Sequence, residues 1–131
     1  MSDPDQKRLI ESALDIRQQA YAPYSKFLVG AALATMDGTV FTGTNVENAS
    51  YGLTICAERV AAAAAVAAGH RKITAVAVAT SGGASPCGAC RQFLAEFGGG
   101  MDVLLVDADH PEVVKQMSLA DLLPEQFSLE E

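Results

Sequence analysis

The sequence predicts an α/β domain spanning residues 1–131: three layers, α/β/α, around a mixed sheet of about five strands. Three observations lead there. Helical and strand-like runs alternate in the order α-β-β-α-β-α-β-α, and strands joined through helices imply parallel pairing. The first two strand-like runs meet at Asp37-Gly38, a hairpin signal that makes this pair antiparallel. Half of the residues are apolar, which suits a compact core and excludes a disordered chain. No repeat and no linker interrupts the pattern.

Residues 5–20 form the first helix, with Leu9, Ala13, Ile16 and Ala20 at helical spacing. Asp3 or Asp5 is placed to cap it, and Pro4 suits its N-terminus. Pro23 ends it by biasing Ala22 away from helical angles. "FLVGAALAT" (27–35) reads as a buried strand, "MDG" (36–38) as a turn, and "TVFTGTNVEN" (39–48) as the returning strand. Gly30 within the first strand marks a close backbone approach. "CAERVAAAAAVAA" (56–68) is a helix, apolar on nearly every face after Arg59 and therefore expected to be buried. Gly69 suits its C-terminal cap, with His70, Arg71 and Lys72 at the negative end of the dipole. "ITAVAVAT" (73–80) is a strand and "SGGAS" a loop, either a lid or a connector. Pro86 starts a helix over 86–97, which three glycines end. "MDVLLVD" (101–107) is a strand, and 117–127 gives a short helix capped by Ser118 before an irregular tail.

Charge narrows the function. The net charge is −7, which repels a polyanion, and no run of Arg and Lys forms a basic stripe. Nucleic acid is therefore not an expected partner; a small neutral molecule is. No apolar run approaches the ~20 residues of a membrane span. The polar, acidic start lacks the pattern of a secretory signal, so a cytoplasmic location is expected. Three cysteines are an odd number, and in a reducing compartment they suggest metal binding or a reactive thiol rather than disulfides.

The cysteines stand at two helix starts. Cys87 and Cys90 are three apart and share a helix face. They lie in a first turn, where unpaired N–H groups and the dipole stabilise thiolates. Cys56 opens the preceding helix, so two helix N-termini can converge on one zinc ion. Neither His70 nor His110 is placed to be a fourth ligand. Three protein ligands leave a position open for water, the mark of a catalytic zinc site. Glu58, two residues past Cys56, is offset from the ligand direction and can take a proton from that water. Its blander role, negative charge in a first helical turn, is worth about 0.3–1 kcal/mol and prevails only in the absence of the thiols. Three thiolates and one Zn²⁺ sum to a formal charge of about −1, which calls for a compensating cation. Arg59 returns to the Cys56 side of the helix and is expected to donate to the ligand sulfurs; a surface salt bridge is its alternative. CxE followed by PCxxC is the signature of zinc-dependent nucleobase deaminases, with the Glu as general acid and base.

On "YAPYSKFLVGAAL", "GTNVENASYG", "CAERVA", "SPCGACRQ" and "LLPEQFS", the chain resembles the small cytidine deaminases with three cysteine ligands. The resemblance runs from residue 21 to 128 and implies one zinc ion per subunit on Cys56, Cys87 and Cys90. Glu58 would shuttle protons, and Asn45 and Glu47 would hold the ribose. Phe27 would lie beside the pyrimidine and the Ala57 backbone N–H on the ring. It also implies a homotetramer with sites near subunit interfaces, Phe127 being a candidate contributor from the tail. The implied activity is hydrolysis of cytidine and 2′-deoxycytidine to the uridine product and ammonia, a pyrimidine-salvage reaction. Asn45 and Glu47 are two apart on a predicted strand and share a face; a carboxylate accepts sugar hydroxyls and repels phosphate, which favours a nucleoside. Phe27 as a plain core residue is the alternative to its substrate role. Two rival functions stand beside this one. One is a deaminase of another cytosine nucleoside such as blasticidin S, against which "NVEN" argues. The other is a structural zinc module, which requires a fourth protein ligand.

Overall fold

A computed structural model describes residues 2–129. Helix α1 (Asp3–Arg17) begins behind Ser2, whose hydroxyl accepts from the Asp5 backbone N–H. The cap is therefore Ser2, not Asp3 or Asp5. Both acids fall in the first turn, where they suit the helix dipole. Strands β1 (Gly30–Thr35) and β2 (Val40–Thr44) form the expected antiparallel hairpin. Helix α2 (Ala57–Ala67) follows a short 3-10 turn at Tyr51–Leu53. Then come β3 (Ile73–Thr80), α3 (Gly88–Gly98), β4 (Asp102–Asp107), β5 (Val114–Ser118) and α4 (Leu119–Leu122).

The five strands lie in the order β2-β1-β3-β4-β5. Strands β3 and β4 pair in parallel; β1 pairs antiparallel with both β2 and β3, and β5 antiparallel with β4. The crossover through α2 thus runs from β2 to a strand two places away, because β1 occupies the position between them. Helix α1 covers one face of the sheet over Leu9, Ala13, Ala32, Ala77 and Leu104. Helices α2 and α3, with Leu119 of α4, cover the other over Leu33, Ala61, Val76, Leu94 and Val103. This is the three-layer arrangement expected. Gly30 lets α1 sit on the sheet: a Cβ there would run into the backbone of Ala13.

Four further expectations are corrected. The first strand pair is shorter than 27–35 and 39–48, because the Asn45 side chain replaces the ladder. Its Oδ1 accepts from the Val29 N–H at 3.0 Å and its Nδ2 donates to the Phe27 carbonyl at 2.8 Å. Asn45 and Glu47 therefore lie beyond the strand, although Val46 between them still bridges Tyr21 and Ile55. Helix α2 is not buried all round: Ala63, Ala64, Ala67 and Ala68 are exposed along one side. It does end as predicted, with Gly69 at φ +98° and the His70 N–H bonded back to the Ala65 carbonyl. Pro86 precedes α3 rather than starting it, since Cys87 is the cap. Last, 114–118 is an edge strand. Its first three residues, Val114, Lys115 and Gln116, are exposed, so no alternation betrays it. Ser118 caps the short α4, in a capping box with Asp121.

Candidate active site

Cys56 and Cys87 are the N-caps of α2 and α3, both in extended backbone. Cys90 stands one turn into α3, buried. The packing of α2 beside α3 over one sheet face brings the three sulfurs together, all within 4.8 Å of one another. Cys56 Sγ and Cys87 Sγ are 3.9 Å apart. Four bonds of about 2.3 Å arranged tetrahedrally require ligand sulfurs about 3.8 Å apart, so the cluster has the dimensions of a zinc site. The group has three members among the described residues. His70 lies elsewhere, 3.8 Å from Asp37.

Charge is arranged around the sulfurs as the sequence suggests. Arg59 Nη2 donates to Cys56 Sγ at 3.5 Å, while its buried Nε has no partner among the described residues. The Cys56 thiol is lowered to about 5, first by its hydrogen bond with Cys90 and then by Arg59 and Cys87. Cys90 is pushed up, by the same bond to Cys56 and by burial.

Glu58 is the second residue of α2 and only 4% exposed. Burial pushes its carboxyl up to about 7, with the Cys56 charge adding and Arg59 opposing. It lines a cavity of about 290 Å³ together with Cys56, Cys87 and Ala57. Ala57 is the first residue of α2, so its N–H is one of the unpaired donors at the helix start.

The same cavity is lined by Asn45, Glu47 and Phe27. The residues singled out for the metal, proton transfer and substrate thus line one cavity, except Cys90, whose buried sulfur lies within 4.8 Å of those of Cys56 and Cys87. Phe27 is not core; it is 42% exposed. Glu47 Oε1 accepts from the backbone N–H groups of Tyr24 and Ser25 at 3.0 and 3.1 Å, and Oε2 from the Ser25 hydroxyl. These bonds, the hydroxyl first, hold its carboxyl below the usual range. They also fix the 22–27 turn, in which Lys26 sits at φ +62°. Phe127 does not line this cavity and is 69% exposed.

Sequence reasoning missed Ser25, Val29, Thr54, Val78, Thr80, Ala84 and Ser85, which complete the walls. Ser25 was discoverable: it is a hydroxyl set in "YAPYSKF", beside Phe27. The others come from β3 and from loop segments whose approach depends on the fold.

The chain matches the family described as the cytidine and deoxycytidylate deaminase zinc-binding region over residues 3–106. It is 48% identical over 130 residues to the cytidine deaminase of Sporosarcina psychrophila, covering 97% of this chain and 94% of that protein. It is 45% identical over 133 residues to the cytidine deaminase of Mycobacterium tuberculosis, covering 100% of this chain and 96% of the relative. Among solved structures, it is similar to the crystal structure of cytidine deaminase from Burkholderia pseudomallei, with a TM-score of 0.88 and 49% identity, over 97% of this chain and 100% of that one.

Proposed function

The chain belongs to the cytidine and deoxycytidylate deaminase family, and from that premise we propose that it hydrolyses cytidine to uridine and ammonia in the cavity described. It is an enzyme of the zinc-dependent deaminase type. The same cavity is proposed to take 2′-deoxycytidine. One observation carries the assignment of roles. A single cavity is lined by two of three converging thiols, by a buried carboxyl, and by Asn45 and Glu47.

Cys56, Cys87 and Cys90 would hold zinc, which when bound supplies a Lewis acid at a position left open to water. The remaining work falls to the chain. Glu58 accepts the proton of the attacking water and delivers it to ring N3 as the C4–O bond forms. It then carries the second proton to the amine as the C4–N bond breaks. A carboxyl kept near neutrality by burial suits both acceptance and release. The Ala57 N–H fixes the ring and Phe27 packs beside it. Asn45 offers its amide to the sugar and Glu47 accepts from it: three of Glu47's roughly four acceptor positions are filled from the 24–25 turn, which leaves one for a hydroxyl. Arg59 offsets the charge of the sulfurs.

The whole chain acts as one domain, in the cytoplasm, where three free thiols stay reduced. No helix among the described residues is long and apolar enough to cross a membrane. The working form is a homotetramer that acts on free nucleosides, not on nucleic acid. Exposed Tyr21, Tyr51, Leu53 and Ile55, beside the site, support the assembly, and the net charge of −7 supports the exclusion of polynucleotides.

The test is direct. Cytidine is mixed with purified protein and its ultraviolet absorbance followed, with and without a strong chelator. Loss of absorbance that stops on chelation is expected; cytidine left unchanged by zinc-loaded protein sinks the assignment.

A further inference from the structure

One wall of the cavity is formed by Thr80 at the end of β3 and by the loop that follows it, which contributes Ala84 and Ser85 and runs directly into Cys87. Its first half is tied to the sheet. The Gly82 N–H donates to Asp107 Oδ1 at 3.0 Å, and the Ala84 N–H to Thr80 Oγ1 at 2.7 Å. Its second half is tied by one side chain. Arg91 Nε donates to the Pro86 carbonyl at 2.8 Å and Nη2 to Ser85 Oγ at 3.0 Å. The third bond leaves the loop altogether: Nη1 donates to the Leu122 carbonyl at 2.8 Å.

These contacts are not those of a salt bridge. All three bonds end on neutral oxygens, and the guanidinium is only half-buried. Charge-assisted bonds are short and strong, and a planar fork dictates where its acceptors lie. Leu122 ends α4, a helix of four residues whose last carbonyls lack partners within it. Arg91 supplies one. The neighbouring Gln92 donates to the Phe127 carbonyl at 3.3 Å, so two consecutive residues of α3 hold both the cavity wall and the C-terminal segment.

We propose, building on the assignment of this cavity to cytidine, that Arg91 is a positioning residue for substrate binding: its guanidinium clamps the Ser85–Pro86 wall to the end of α4, so that wall and tail keep one geometry. It does not touch the sulfurs and does not line the cavity. Its effect reaches substrate only through the wall. The "SGGAS" loop is accordingly a pinned wall, neither a lid nor a slack connector.

Arg91→Lys and Arg91→Gln test this. Lysine keeps the charge, but its single ammonium cannot serve three acceptors spread along a fork. Zinc per chain, kcat and KM for cytidine per zinc-loaded chain, and amide hydrogen exchange over 82–87 and 119–127 are measured. Both variants are expected to load zinc as the parent does and to raise KM about tenfold, with a smaller fall in kcat, because sub-ångström misplacement of a binding wall is costly. Exchange should accelerate in both segments together. Unchanged KM per zinc-loaded chain overturns the proposal, even if zinc is lost or the melting temperature drops, and so does faster exchange in only one segment. Should neither variant fold, Ser85→Ala removes one acceptor; a smaller rise in KM supports the clamp and an unchanged KM refutes it. Parent protein inert on cytidine would instead defeat the functional assignment, and the paired exchange readout would still decide whether the clamp exists.

Discussion

Glu58 stands at the second position of α2 because Cys56 is its cap, and that offset sets the proton-carrying role proposed for it apart from a ligand's. A ligand would have to lie where the sulfurs converge. Glu58 instead lies in the cavity wall, buried enough for its carboxyl to rise to about 7. Glu58→Gln keeps the volume and removes the exchangeable proton. It should leave zinc content unchanged and lower kcat by about 10²–10⁴-fold, read by metal analysis and an absorbance assay on the same preparation. Zinc retained with near-parental turnover would remove Glu58 from the chemistry. The cysteines and Glu58 were legible because their spacing is local and helix geometry converts spacing into direction. Asn45 was legible by identity but not in full. Its amide also holds Val29 and Phe27 in place, a duty that depends on which segments meet and leaves no mark in the spacing.

Among elements, the seat of α2 matters most to the site. Gly43 of β2 lies directly beneath it: a Cβ there would come within 2.5 Å of the Ala61 nitrogen and 2.6 Å of the Ala57 carbonyl oxygen. Both neighbours are backbone, so the helix itself must move. Gly43→Ala should cost at least about 1–3 kcal/mol, as overpacking does, and displace Cys56 and Glu58 together. Lower melting temperature with reduced zinc per chain is the expected pair of results; full zinc loading would mean the helix yields without disturbing its cap. The β1–β2 turn makes a different prediction. Asp37 Oδ1 accepts from Thr35 Oγ1, the Thr39 N–H and Thr39 Oγ1, and these bonds, Thr35 first, hold its carboxyl down at about 2 rather than 3.8. The native state therefore gives up this proton more readily than the unfolded chain does. The stabilisation is complete above pH 3.8, is lost as pH falls toward about 2, and is absent below. Asp37→Asn should flatten the acid limb of the stability curve in that window; identical acid limbs would show that the turn bonds contribute nothing. Helices and the hairpin were readable because periodicity and Asp-Gly are strong local signals. The edge strand β5 was not, since solvent on one side and a polar run erase its alternation.

At the scale of the molecule, the sheet order was out of reach of the sequence for a plain reason. The hairpin and crossovers fix which strands are connected, whereas β1 lying between β2 and β3 is decided by packing. The surface is the other large-scale feature. Tyr51 is 78% exposed, Leu53 65%, Tyr21 55% and Ile55 44%, and the Tyr24 and Tyr51 rings meet edge to face at 6.3 Å beside the site. In the proposed homotetramer these apolar side chains are the ones expected between copies, since a self-associating chain closes into a symmetric oligomer. Copies that carry a net charge of −7 each repel one another, so the apolar contact has to outweigh that term, and more salt should favour assembly. Sedimentation should give a tetramer for the parent. Tyr51→Glu combined with Leu53→Glu should give a smaller species, because each new carboxylate adds charge and burial cost at once. If neighbouring copies help to close the cavity, kcat/KM falls with the tetramer fraction across a dilution series. A tetramer unaffected by the double change would move the interface elsewhere on the surface, and a monomeric parent with full activity would show each chain to be complete alone.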